Sequence, residues 1–213
     1  MYQIFIGSLL LSLIHALIPN HWIPLIAFSK TEKWSTGQTM WATAITGFSH
    51  TLSTIFIGIV VGVAGYKLSA KYSQVSNVVA PIVLTGLGII YVLLDFRGGH
   101  HHHEEHDQTT ASPGKTGKAK LRAILISLSV AMFLTPCFEI EAYYFQAGTI
   151  GWTGIFIVST VYLVVTLLVM LLLVYLGLKG IRTFNSHFLE HHEKGITGVV
   201  LIFLGIIAYM VKF

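Results

Sequence analysis

Long apolar stretches recur along this chain of 213 residues and leave few folds open to it. A helix needs about 20 apolar residues to cross a bilayer core about 30 Å thick. Only 10% of the residues are charged, whereas soluble domains carry roughly 25%. We therefore predict an all-α integral membrane protein with six transmembrane helices, which cover residues 3–27, 40–65, 76–96, 122–147, 152–178 and 195–212.

Lysine and arginine residues are divided unevenly between the two sides of these helices. Ten lie in the loops after the first, third and fifth helices, and three lie on the opposite side. Because positive residues accumulate on the cytoplasmic side, these odd-numbered loops are predicted to face the cytoplasm. The chain is then a multi-pass protein of a bacterial-type inner (plasma) membrane, with both termini outside. The net charge of +4 follows from this topology and requires no nucleic-acid partner.

The sequence matches itself at an offset of 117 residues. In the clearest segment, six residues of 83–90 recur at the same spacing in 200–207. Each half then holds three helices, and an odd number of helices inverts the second half relative to the first. We predict two inverted three-helix repeats, at 1–96 and 122–213, joined by a cytoplasmic loop at 97–121.

Proline interrupts the first and fourth predicted helices at equivalent positions, Pro19 and Pro136. Proline lacks a backbone donor and clashes with the carbonyl four residues earlier, so the carbonyls of His15 and Met132 are expected to be freed. Irregular backbone at membrane depth lines a cavity or is buried in protein. Paired helix breaks in inverted repeats mark binding sites near the midplane, and we predict such a site here.

Residues that can bind metal surround the two breaks. Imidazole suits zinc, copper, iron and nickel, and a carboxylate at the bilayer centre costs about 2.5–3.5 kcal/mol, so it needs a partner or a role. Hydrogen bonding between helices is the alternative role for each of these residues. Only one of the two glutamates is expected to bind directly, with Glu139 favoured because it lies closer to Pro136. The predicted ligands of a divalent transition metal are His15, Asn20, His21, His50, Cys137, Glu139 and Glu141.

The predicted loop contains a histidine-rich tract at 98–108, with five histidines and three acidic residues. Such tracts bind metal, although a merely soluble linker is the alternative. A second histidine-rich segment, at 187–192, is interpreted as an interfacial polar turn or an entry site. The residues predicted to capture metal in the loop are His100, His101, His102, His103 and His106.

Four features in order resemble the nickel/cobalt efflux permeases of the NicO type, within the LysE-like transporter superfamily. They are the pattern His-x-Leu-x-Pro-x-His at 15–21, Ser-His-Thr at 49–51, Pro-Cys at 136–137, and a histidine-rich loop between the halves. The resemblance covers most of the chain and implies nickel or cobalt efflux. Phe138 replaces the second proline of the family's Pro-Cys-Pro, and Glu139 and Glu141 follow it. Added oxygen ligands extend the expected metals to zinc, manganese and iron.

We expect a transporter rather than an enzyme, with the metal ion as transported substrate and the lipid bilayer as surroundings. The oligomeric state, including a homo-oligomer, is left open by the sequence. The main alternative is a membrane di-iron oxygenase of the histidine-box kind, for which the segment 187–192 is suggestive. A non-transporting metal accessory protein is a third possibility. Histidines gathered inside the membrane favour transport, whereas histidines gathered at one membrane face favour the oxygenase.

Overall fold

The part of the chain that the structure describes folds into α-helices. The computed structural model describes residues 1–19, 21–71, 78–97, 117–135, 137–179 and 193–211. Within these ranges there are eight helices and no strand, so the all-α prediction is confirmed. The helices are α1 (Tyr2–Leu17), α2 (Ile23–Thr31), α3 (Thr36–Lys71), α4 (Ala80–Arg97), α5 (Gly117–Leu134), α6 (Phe138–Ile150), α7 (Trp152–Leu178) and α8 (Glu193–Val211).

Two helices are long and apolar enough to cross a membrane. They are α3, with 36 residues, and α7, with 27. The bent pair α5 and α6 makes a third span if it is counted as one. The apolar segments Tyr2–Leu17, Ala80–Phe96 and Gly195–Ile207 are shorter. Membrane association is therefore supported by length and composition, while the arrangement of six spans remains a prediction.

The chain leaves the helical path at both proline positions. Helix α1 ends at Leu17 and α2 begins at Ile23, with Ile18 in an extended conformation (φ −63°, ψ 130°). A residue before proline is pushed out of the helical region, which explains this end of α1. In the second half, α5 and α6 meet at a bend of 54°. Cys137 caps the start of α6 in an extended conformation (φ −89°, ψ 105°).

Local sequence accounts for several other helix ends. Ser35 and Gln38 exchange hydrogen bonds between side chain and backbone, at 2.8 and 3.2 Å, in a capping box that begins α3. Pro24 lies in the first turn of α2, where its missing donor costs nothing. Gly151, at φ 110°, separates α6 from α7, because its conformation is accessible chiefly to glycine.

Helix α3 lies at the centre of the bundle and packs against α5, α6 and α7. Small residues let membrane helices approach closely, and the approach here is tight enough that a Cβ on Gly148 of α6 would overlap the carbonyl oxygen of Gly62. This contact lies near the end of α6. The start of α6 lies beside the middle of α3, where the backbone N–H of Cys137 donates to Oγ1 of Thr54. The buried face of α3 consists of small and polar residues: Thr39, Ala42, Thr43, Thr46, Gly47, His50, Thr51, Ser53, Thr54, Gly58, Gly62 and Gly65.

The helix pattern of the first half recurs in the second at the offset of 117 residues. Leu17, the last residue of α1, corresponds to Leu134, the last residue of α5. Helix α1 packs on α7 while α5 packs on α3, and these two pairings are equivalent at that offset. Between α4 and α8, Gly88 faces Ile202 and Gly205 faces Thr85, which are equivalent contacts as well. The described helices and their contacts thus recur at this offset, and the inverted six-span repeat stays a prediction.

Candidate metal centre

The two helix breaks bring five metal-binding side chains together. The ligand atoms of His15, His21 and His50 all lie within 4.8 Å of one another, and so do those of His15, Cys137 and Glu139. His15, His50 and Cys137 are buried, whereas His21 and Glu139 are half-buried. The ligands come from the last turn of α1, the turn before α2, the middle of α3 and the start of α6. The centre therefore lies between helices of both halves.

His15 occupies the middle of this arrangement. Its Nε2 lies 3.3 Å from Nε2 of His50, and its Nδ1 lies 3.2 Å from Sγ of Cys137. The rings of His15 and His50 are stacked, with centroids 5.6 Å apart and an angle of 14° between their planes. The centroid of the His21 ring is 4.8 Å from that of His15 and 4.6 Å from that of His50. Three imidazoles thus form one compact group.

Hydrogen bonding to the end of α5 orients His50. Its Nδ1 donates to the carbonyl of Met132 at 3.2 Å, and Thr135 Oγ1 donates to the same carbonyl at 3.3 Å. A carbonyl can only accept, so Nδ1 carries the proton and Nε2 keeps its lone pair for a metal. Such a contact typically fixes the tautomer of a metal-binding histidine. The carbonyl of His15 was predicted to be freed by Pro19, as that of Met132 was by Pro136. It accepts a hydrogen bond from the backbone N–H of Ile18 at 3.2 Å.

Hydroxyl groups of α3 hold the second break in place. Ser49 donates to the carbonyl of Ser129 at 3.0 Å, and Ser53 donates to the carbonyl of Phe133. The backbone N–H of Cys137 donates to Oγ1 of Thr54 at 3.2 Å. These three backbone groups therefore have partners inside the bundle, as the lack of water in a bilayer demands.

At the second break, the thiol of Cys137 and the carboxylate of Glu139 lie side by side and could bind one metal ion together. Sγ of Cys137 donates to Oε2 of Glu139 at 2.7 Å. Glu141, only 7% exposed, belongs to neither triad, and both of its carboxylate oxygens lack a hydrogen-bond partner among the described residues. The geometry therefore places Glu139, and not Glu141, beside His15.

Sequence reasoning missed two kinds of supporting residue. Tyr162 of α7 is fully buried, and its hydroxyl lies 3.4 Å from Nε2 of His50. No motif around Tyr162 indicated this contact. Ser53 and Thr54 had a usable signal, because residues three and four positions after His50 share its face of the helix.

Several predicted site residues cannot be placed. Asn20, Pro136, the loop histidines at 100–103 and 106, and the segment 187–192 all lie outside the residues that the structure describes. Their assignments remain predictions from the sequence.

No protein-family model matches the chain, and no curated protein or solved structure is significantly similar to it. The resemblance to nickel/cobalt permeases therefore stays a prediction based on motifs.

The donor set suits a borderline transition-metal ion. Nitrogen and thiolate ligands favour zinc and its neighbours, whereas magnesium and calcium prefer oxygen alone. Zinc bonds of about 2.0–2.1 Å to nitrogen and 2.3 Å to sulfur require ligand atoms roughly 3–4 Å apart. Because the ligand atoms of each triad already lie within 4.8 Å of one another, small side-chain movements would bring all three within bonding distance of one ion.

Proposed function

We propose that this protein transports a divalent transition-metal ion outward across a bacterial-type inner membrane, as the resemblance to NicO-type permeases implies. The observation that carries the proposal is the buried cluster of nitrogen, sulfur and oxygen ligands at the meeting point of two helix breaks. Ionisable residues inside a membrane bundle are costly and usually mark an ion path. The transported ions are of the nickel, cobalt, zinc, manganese or iron class.

The recurrence of helix ends at 117 residues supports a mechanism of alternating access. In this proposal the six spans form two inverted repeats, and each half rocks against the other around the site. His15, His21 and His50 belong to the first half, while Cys137 and Glu139 belong to the second. Relative movement of the halves would then change the ligand set around the ion and open it to one side.

The oxygenase alternative receives less support. The histidines that the structure describes gather around a thiol and a carboxylate within the bundle. The segment 187–192, on which that alternative depended, lies outside the described residues.

Flux of metal into proteoliposomes tests the proposal. Purified protein should carry at least one ion of a panel of nickel, cobalt, zinc, manganese and iron. His21→Ala should reduce this flux at subsaturating metal by at least about tenfold, since loss of even an indirect metal contact costs 10–100-fold in affinity. Ser8→Ala is the matched control, because it removes a polar group of α1 that, among the described residues, bonds only to the Phe5 carbonyl, at 2.9 Å. Absence of flux for every ion with folded, inserted wild-type protein would refute the proposal.

The basic bias of the loops predicts the orientation. A cysteine introduced at either terminus should react with a membrane-impermeant maleimide in intact cells, whereas one introduced at 100–103 should react only after lysis. Cys137 is buried and should contribute little background. Labelling of the loop but of neither terminus in intact cells would contradict this topology.

A further inference from the structure

The two triads share one residue, His15, and one member of each triad faces a different ring nitrogen of it. Nε2 of His15 faces Nε2 of His50 at 3.3 Å, whereas Nδ1 faces Sγ of Cys137 at 3.2 Å. A neutral imidazole has a lone pair on only one of its nitrogens, because the other carries the proton. A cation bound through one nitrogen therefore leaves the other nitrogen as a donor that cannot bind a second cation.

We propose that the centre consists of two mutually exclusive metal stations joined by His15. The nitrogen station comprises Nε2 of His15 with His21 and His50. The mixed station comprises Nδ1 of His15 with Cys137 and Glu139. The inference deepens the proposed function and depends on it, since it assigns two successive positions to the transported ion.

Neighbouring contacts direct each set of ligands to its own side of His15. His50 uses Nδ1 to bond the Met132 carbonyl, so only its Nε2 is available to a metal. Cys137 and Glu139 are already paired with each other at 2.7 Å on the opposite side. One ion cannot bond to both nitrogens of a single ring, so a five-ligand site around one ion does not fit this arrangement.

The stations also divide between the two halves of the chain. His21 and His50 precede the histidine-rich loop, whereas Cys137 and Glu139 follow it. When the ion moves between the stations, its bond to Nε2 of His15 is replaced by a bond to Nδ1. The ring proton moves the other way, from Nδ1 to Nε2. Binding to the thiolate also releases the Cys137 proton to solvent. The mixed station, with its thiolate, suits zinc-like ions best.

Equilibrium zinc binding to detergent-solubilised full-length protein tests the two stations without measuring flux. The variants are His21→Ala, Cys137→Ser and the double variant. For exclusive stations the binding constants add, so at least one single variant must retain the wild-type affinity within about twofold. Transfer of the ion between two stations requires comparable affinities. The double variant must then bind more weakly than either single variant by more than about tenfold, a departure from the additivity of independent changes. Wild-type protein should bind one zinc ion per chain.

X-ray absorption at the zinc edge supplies the structural check. Zinc in His21→Ala should have a sulfur neighbour at about 2.3 Å, and zinc in Cys137→Ser should have none. Three results would each overturn the proposal. The first is binding of two zinc ions per chain, and the second is zinc binding weakened by more than about twofold in both single variants. The third is a double variant that binds zinc no more weakly than the weaker single variant. If the double variant unfolds, His21→Gln combined with Glu139→Gln repeats the test. If the protein transports metal but shows any of these three results, only the two-station proposal is overturned. If the protein neither transports nor binds metal, the proposed function is overturned as well.

Discussion

Replacing His15 by alanine is expected to abolish metal flux and tight zinc binding together. His15 is the one described residue that belongs to both triads, so its loss removes a ligand from each. Loss of an indirect contact to a metal already costs about 10–100-fold in affinity, so loss of this direct ligand should cost more than about 100-fold. Flux should fall to the level of protein-free liposomes. Competition with a fluorescent zinc chelator measures the zinc affinity, and the liposome assay measures the flux.

Leu13→Ala is the matched control for this substitution. Leu13 lies two residues before His15 on α1 and is 39% exposed, so it faces away from the metal centre. The control should retain both flux and binding. The His15→Ala variant should still insert and fold, because insertion favours the loss of a polar group. Tight zinc binding by a folded His15→Ala variant would contradict the central place given to this ring.

Substituting Gly148 by alanine is expected to produce the largest loss of stability. The added Cβ would overlap the backbone of Gly62 on α3, and backbone on both sides leaves little room for adjustment. Overpacking of this kind costs about 1–3 kcal/mol, and we expect the upper end. For a chain of this size that corresponds to a drop of roughly 6–12 °C in the thermal midpoint. Circular dichroism in detergent measures it.

Gly86→Ala provides the comparison for this prediction. Gly86 lies inside α4, and a Cβ added to it would meet no atom within 4 Å. Alanine is the better helix former by about 1 kcal/mol, so this variant should be unchanged or slightly more stable. Equal midpoints for the Gly86 and Gly148 variants would contradict the close approach of α3 and α6.

The sequence was most informative where local chemistry decides the structure. Proline disfavours a helical conformation in the residue before it, so the end of α1 near Pro19 followed from the sequence alone. The capping residues Ser35 and Gln38 lie outside the predicted span 40–65, because hydropathy does not register polar turns at a helix end. Helix α3 accordingly begins earlier than predicted, and it continues to Lys71.

Tertiary geometry decided the parts that the sequence left open. On an ideal helix, residues 139 and 141 point about 200° apart, so only one glutamate was expected near the histidines. Which one it is depends on where α6 begins and on the bend of 54° that precedes it. The opposed ring nitrogens of His15 depend on the same bend. Tyr162 reaches His50 from 112 positions away, and no local pattern predicts such a contact.

The length of α3 has a consequence for membrane thickness. Its 36 residues extend about 54 Å at 1.5 Å per residue. Even a tilt of about 40°, the upper end of the usual range, shortens its projection only to roughly 41 Å, which exceeds a hydrocarbon layer of about 30 Å. If α3 spans a bilayer, one or both of its ends extend beyond the hydrocarbon layer. Near the C-terminal end of α3, Tyr66 lies against Trp152 of α7 with ring centroids 6.5 Å apart, and such aromatic residues are typical of membrane interfaces. A helix of this length can then match bilayers of different thickness through a change of tilt.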